Sequence, residues 1–416
     1  MHVMDSSSRL AQRITNLKSS ATLALTAKVK ALNAAGADVI GFAAGEPDFD
    51  TPEHIKQAAI DALNAGQTHY MPVPGDPAAR QAIADKLRND NAINCGPDDI
   101  VITTGGKHAI YLALQCLVDA DRGAQVLVPT PAWLSYRPMI ELAGGEVIEI
   151  PGSVDNDFKI TAQQLQDAIT DRSVAIIINS PSNPCGTMYS PDELRELATV
   201  IERCPQLTVI SDEIYEKLIF GGVDHFSIGS VQAIADRVIT INGLSKAYAM
   251  TGWRIGYACA PAPAPGIDRV MAKAIARLQG QMTSHITSFC YAAIVEALTN
   301  AADDVERMRQ EFARRAVIIH ERLTAMPGIR CPKPTGAFYV FPDISATFGK
   351  RSGGGRLIDS AMSFAEALLE EANVAVVPGD DFGGCGAHHV RLSFACSEQH
   401  IEEGCRRIHR WIEALT

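Results

Sequence analysis

The stretch NGLSKAYAMTGWRIGY spans residues 242–257. It sits between two apolar runs, 238–241 and 256–260, each short and bounded like a strand. Lys246 therefore falls just past a strand end, beside Ser245, with Arg254 eight residues on. Open α/β sheets bind their ligands at the carboxyl ends of the strands. A free lysine has a pKa of about 10.4 and is a poor nucleophile at neutral pH. Burial beside other cations lowers that value and frees the amine for Schiff-base chemistry. Taken alone, a Ser-Lys pair after a strand is usually a surface lysine.

More apolar runs lie upstream, at 100–103, 125–128, 147–150, 174–178 and 207–211. Helical patterns separate them, at 107–118, 134–142, 162–169 and 191–204. Val/Ile-rich runs alternating with helices predict an α/β fold, with a mostly parallel seven-stranded sheet covered on both faces. Ser190, Pro191 and Glu193 together form a helix start, so 180–189 must be a loop. After about residue 300 the pattern changes. A long helix over 301–326 precedes strand candidates at 336–341, 374–377 and 389–394, with helices at 357–372 and 397–415. We expect an N-terminal arm and part of the small domain over 1–50, a large domain over 51–300 and a smaller α+β domain over 301–416. RSGGG, residues 351–355, reads as an exposed flexible loop.

Four further segments carry chemistry. VISDEIYEKL, 209–218, ends a buried run on Asp212, with Tyr215 three residues later. An aspartate there could pair with a protonated ring nitrogen, or simply cap a helix. NSPSNPCGT, 179–187, uses two prolines and a glycine to present Asn183, or is an ordinary tight turn. ITTGGKHAI, 102–110, runs from a strand through Gly105 and Gly106 into a helix. Such a turn can hold a phosphate on its N–H groups. HHVRLSFA, 388–395, sets Arg391 among apolar residues, where an arginine is costly unless it grips an anion or forms an ion pair. His388 and His389 are adjacent and would point to opposite faces of a strand, so no metal site is expected there.

Composition sets the limits. The chain has 416 residues, 47% hydrophobic and 20% charged, with a net charge of −11. That is the balance of a globular protein and disfavours a nucleic-acid partner, which needs a basic surface. Ten scattered cysteines without a C-x-x-C pair suit free thiols in a reducing compartment. No run of about 18 apolar residues suggests a membrane span, and the first residues do not read as a signal peptide. A cytoplasmic protein is expected.

These segments together resemble the class I, fold type I, pyridoxal-phosphate (PLP) aminotransferases, above all the bacterial branch of aspartate and aspartate/prephenate aminotransferases. The likeness runs from about Lys18 to the C-terminus and includes AAGEPDFDTPEHI at 43–55, GGKHAIYLAL at 105–114 and AVVPGDDFG at 375–383. The resemblance implies the following roles. Lys246 forms the Schiff base with the cofactor and later moves the proton. Asp212 holds the pyridine nitrogen protonated. Asn183 and Tyr215 bond the ring hydroxyl oxygen, and Trp133 stacks on the ring. Arg254, Ser245 and the backbone of Gly106 and Lys107 hold the phosphate. Tyr70 reaches the phosphate of a neighbouring subunit, which implies a homodimer with shared sites. Arg391 takes the substrate α-carboxylate beside the Gly45 backbone. Two positions depart from the pattern: Gly243 stands where many relatives have serine, and Ala132 where many have tyrosine.

The resemblance also bears on the substrates, which are amino acids and 2-oxo acids. Lys107 matches the lysine that this branch uses for a side-chain carboxylate, which implies aspartate and glutamate. Lys18 and Thr22 match positions linked to prephenate. Alternatives on the same fold are a carbon–sulfur β-lyase and an aminotransferase of aromatic or neutral amino acids. A PLP-sensing DNA-binding regulator fits poorly, because only about forty residues precede the 43–55 segment and the chain is acidic.

Overall fold

The computed structural model describes residues 10–17, 21–262 and 269–416. Lys18 lies outside them, as does the side chain of Thr22. The seven expected runs form strands β1 (Ile100–Thr104), β2 (Gln125–Thr130), β3 (Glu146–Pro151), β4 (Ser173–Asn179), β5 (Thr208–Asp212), β6 (Val238–Gly243) and β7 (Ile255–Cys259). They make one sheet in the order β1-β7-β6-β5-β4-β2-β3. Only β7 runs antiparallel to its neighbours, so the other six strands point the same way. Their continuous apolar character follows from burial on both faces. One face packs against helix α1 (Gly106–Leu117) and helix α2 (Tyr136–Leu142) through Ile110, Ala113, Met139 and Ile140. The other face packs against helix α3 (Pro191–Glu202) through Leu194, Leu197 and Ile201.

The start of α3 is as the sequence requires. The Ser190 side chain accepts from the Glu193 N–H, and Glu193 accepts from the Ser190 N–H at 2.7 Å. Another helix begins later than expected. The 357–372 pattern is helical only over Ala361–Ala372, because the Ser360 side chain caps it and Leu357 bridges back to Arg351.

Toward the C-terminus, three short strands form a second sheet in which Val390–Ser393 lies between Val377–Pro378 and Tyr339–Val340. The 374–377 run is split. Val374–Ala375 pairs instead with Ile40–Gly41, in parallel. Ile40 and Phe42 therefore share a core with Phe312, Phe364 and Trp411 near the other end of the chain. The RSGGG segment is exposed as expected at Arg351 and the three glycines, and it is also tied to its surroundings. Ser352 is buried, its hydroxyl bonds Glu371 at 2.5 Å, and Arg351 exchanges backbone bonds with Thr416. Among the described residues no helix is long and apolar enough to cross a membrane.

Candidate active site

Five of the six co-directional strands bring Thr104, Thr130, Asn179, Asp212 and Gly243 to one sheet edge, as the last residues of β1, β2, β4, β5 and β6. The reversed strand β7 starts at that edge, so Arg254 and Thr251 arrive there as well. A close approach shapes the edge. A side chain on Gly256 would come within 2.2 Å of the Gly106 nitrogen, so only glycine lets α1 begin hard against β7. No side chain caps α1. Its N-terminus therefore presents N–H groups and the positive end of its dipole, beside Ser245 and Arg254. At Gly243 an added Cβ would lie 2.7 Å from the Ile255 carbonyl oxygen. The missing serine at that position has a packing reason.

The edge opens into a cavity of about 350 Å³. Gly45, Gly106, Lys107, Trp133, Asn183, Asp212, Tyr215, Ser245, Lys246, Arg254 and Arg391 all line it. These come from distant parts of the chain. Tyr70 is not among them. It is 91% exposed, with its ring edge-on to that of His285 at 5.8 Å.

Lys246 donates to the Gly45 carbonyl oxygen. Burial pushes its pKa down to about 8, with Arg254 and Arg391 adding to the fall and Glu46 and Asp212 opposing it. A substantial fraction of the amine is therefore neutral under mildly alkaline conditions. Asp212 is buried, and burial raises its carboxyl to about 6. The Tyr136 hydroxyl opposes that rise by donating to it at 2.6 Å. Tyr136 keeps its proton, because burial and the nearby carboxylate hold its pKa well above the ordinary phenol value.

Arg391 is 2% exposed. It donates to the Asn183 side-chain oxygen at 3.2 Å and to the Ala43 carbonyl at 2.9 Å. Its guanidinium lies 4.8 Å from the Tyr339 ring centroid, and its buried Nε has no hydrogen-bond partner among the described residues. An unpaired donor on a buried cation is costly, and an entering carboxylate would satisfy it. The Tyr215 and Tyr339 hydroxyls are bonded to each other at 3.1 Å. Asn179 sets the loop that carries Asn183 by accepting from the Asn183 N–H at 2.8 Å. At the mouth, the Lys107 ammonium sits 4.8 Å from the Trp133 ring centroid. Partial burial and then Arg254 lower its pKa.

Sequence reasoning missed Tyr136, Tyr339 and Asn179. A search for charged groups passes over phenols and amides. The weak available signals were that Asn179 ends a strand and that Tyr136 lies three residues after Trp133.

The donor set suits a phosphorylated, nitrogen-containing ring. An uncapped helix start with Ser245 and Arg254, a buried carboxylate and a lysine of lowered pKa line one cavity. Comparison with known proteins agrees with this class. The aminotransferase class I and II family model matches residues 37–408, and the chain belongs to that family. It is an aminotransferase. The chain is 45% identical to the aspartate aminotransferase of Geobacillus stearothermophilus, over 98% of this chain and 99% of that one. It is 41% identical to the aspartate/prephenate aminotransferase of Cereibacter sphaeroides, over 98% and 99%. Among solved structures, it matches the aspartate aminotransferase of Rhizobium meliloti with a TM-score of 0.92 at 37% identity, covering 98% of this chain and 100% of that one. It matches the Thermus thermophilus aspartate aminotransferase with maleate at 0.88 and 39%, covering 96% and 99%.

Proposed function

We propose that this aminotransferase uses PLP to move the amino group of aspartate or glutamate to 2-oxo acids, with prephenate as a further acceptor. The observation that carries the substrate class is that two cations, Arg391 and Lys107, line the same cavity as Lys246. A dicarboxylate offers one carboxylate to each. The relatives named above point the same way.

Bound PLP supplies an electron sink that eases loss of the substrate Cα proton. The chain does the rest. Lys246 would hold the cofactor covalently, and its amine, once free, would carry the Cα proton as base and acid. Its lowered pKa suits both tasks. Asp212 keeps the ring nitrogen protonated. Asn183 and Tyr215 bond the ring oxygen, and Trp133 covers the ring face. The N–H groups of Gly106 and Lys107, with Ser245 and Arg254, hold the phosphate. Arg391 binds the α-carboxylate in a bidentate pair beside Gly45.

Tyr70, exposed on the single chain, fits a role across a homodimer interface. Lys18 and Thr22 would act on prephenate. The division at about residues 50 and 300 belongs to this proposal, supported by the separation of the seven-stranded sheet from the three-stranded one near the C-terminus. A cytoplasmic location is supported by cysteines that are all free among the described residues.

The test is the absorbance spectrum of the PLP-loaded protein before and after L-aspartate is added without an acceptor. Conversion to the pyridoxamine form is expected. A spectrum unmoved by aspartate and glutamate would discard the dicarboxylate reading, and release of pyruvate and ammonia from a β-substituted donor would make it a lyase.

A further inference from the structure

A second cavity of about 380 Å³ adjoins the first and shares Lys107, Trp133 and residues 134–136 with it. Val128, Leu134, Met139, Leu142, Val147 and Phe382 give it an apolar stretch of wall, beside polar groups such as Thr130, Ser135 and Glu149. Leu17, exposed at its surface, contributes from the N-terminal segment. An apolar cavity of about 150 Å³ already accommodates benzene, so this one has room for a ring.

Ala132 lines this cavity. Its N–H donates to the Phe382 carbonyl oxygen at 2.7 Å, which pins residue 132 to the 380–384 loop that also lines the cavity. With the backbone fixed in this way, the size of side chain 132 sets how much of the space stays open. A methyl group leaves it largely free.

The charges restrict the occupant. Arg137 at the rim is already engaged by Glu141 and Glu149, and Glu149 also accepts from the Gly384 N–H at 3.0 Å. Asp380 and Asp381 add exposed carboxylates to the same rim. A second anionic group deep in this compartment would meet repulsion. Lys107, shared by both cavities, is the cation placed to meet a carboxylate at their junction.

We propose that Ala132 is a specificity-determining residue, which keeps open an apolar compartment beside the catalytic cavity for a substrate side chain bearing a six-membered ring. The inference rests on the reading of the first cavity as the amino-acid site. It adds that ring-bearing and short dicarboxylic substrates use different walls. The short acid ends at Lys107. The ring passes beside Lys107 and Trp133 into the second cavity.

The experiment uses the PLP-loaded protein, wild type and Ala132→Tyr, with two unreactive probes. Succinate is a short dicarboxylate, and 3-phenylpropanoate carries a ring. Affinity is read from spectral titration, and kcat/KM is measured for L-aspartate and L-phenylalanine. Phenylpropanoate should bind the wild type, and the tyrosine variant should weaken it at least about tenfold, while succinate changes less than about twofold. The phenylalanine kcat/KM should fall in parallel with ring binding. Ala132→Val, a smaller filling, should give a lesser loss in the same direction and covers the case in which the tyrosine variant misfolds. Absence of phenylpropanoate binding in the wild type overturns the proposal, as does equal weakening of both probes in a folded variant or weakening of neither. Loss of aspartate turnover in the wild type would instead count against the dicarboxylate reading, so the two failures are distinct.

Discussion

Replacing Tyr136 by phenylalanine removes one hydroxyl and leaves the ring packed edge-on against Trp133 at 5.4 Å. That hydroxyl donates to Asp212 at 2.6 Å and stabilises the carboxylate form. A hydrogen bond to a charged group contributes roughly 1.5–3 kcal/mol. At about 1.4 kcal/mol per pH unit, its loss moves the Asp212 carboxyl up by roughly one to two pH units. Starting from about 6, the group would titrate between roughly 7 and 8. Only the ionised carboxylate can hold a protonated ring nitrogen. PLP affinity should therefore fall away at a higher pH in Tyr136→Phe than in the wild type, by roughly one pH unit or more. The assay is PLP binding to the apoprotein by fluorescence, across about pH 5 to about pH 9. Thermal melting of both apoproteins separates a binding effect from a folding effect. Superimposed affinity curves from two equally stable proteins would refute the argument that Tyr136 sets the charge of Asp212.

Other expectations follow from the same geometry. Asp212 has a pKa raised from 3.8 to about 6, chiefly by burial, so its ionisation opposes folding. The cost is absent below about pH 4, grows as pH rises to about 6, and is then constant at about 3 kcal/mol. Asp212→Asn should thus melt higher than the wild-type apoprotein above about pH 6, match it near pH 4, and lose PLP; denaturation curves at the two pH values check this. Lys107→Ala should lower kcat/KM for aspartate by roughly 10–100-fold while sparing donors that lack a side-chain carboxylate, and an unchanged aspartate rate would remove Lys107 from the site. His54 ties the Glu53–Asn64 helix to its neighbours through Asp304 at 3.0 Å and Glu296 at 2.6 Å. Those bonds, Asp304 first, raise its pKa above 6.5. Its contribution to stability is full below about pH 6.5 and is lost as pH rises through the raised value, so the melting difference between wild type and His54→Ala should shrink toward about pH 9.

Much of the fold was legible because local chemistry repeats along the chain. All seven runs of branched apolar residues became strands of one sheet, since only a doubly covered sheet buries such runs on both sides. Lys246, Asp212 and Asn183 could be singled out because each closely follows or ends a strand, and strand ends in such a sheet face one edge. The caps at Ser190 and the glycines before α1 were readable for the same reason, because each acts within a few residues.

Other features depended on contacts that no local pattern announces. The reversal of β7 between β1 and β6 was hidden, because its apolar run looks like that of any parallel strand. Splitting of the 374–377 run followed from pairing with residues 40–41, more than three hundred positions away. Tyr136 and Asp212 are 76 residues apart, and Tyr215 and Tyr339 are 124 apart. The lowered pKa of Lys246 and the raised one of Asp212 arise from enclosure by these distant segments. What the sequence alone determined was which residues could do the chemistry and on which strand ends they stand. What only the tertiary structure decided was their charge, their hydrogen-bond partners and the space beside them, because desolvation and packing are set by the whole surrounding fold.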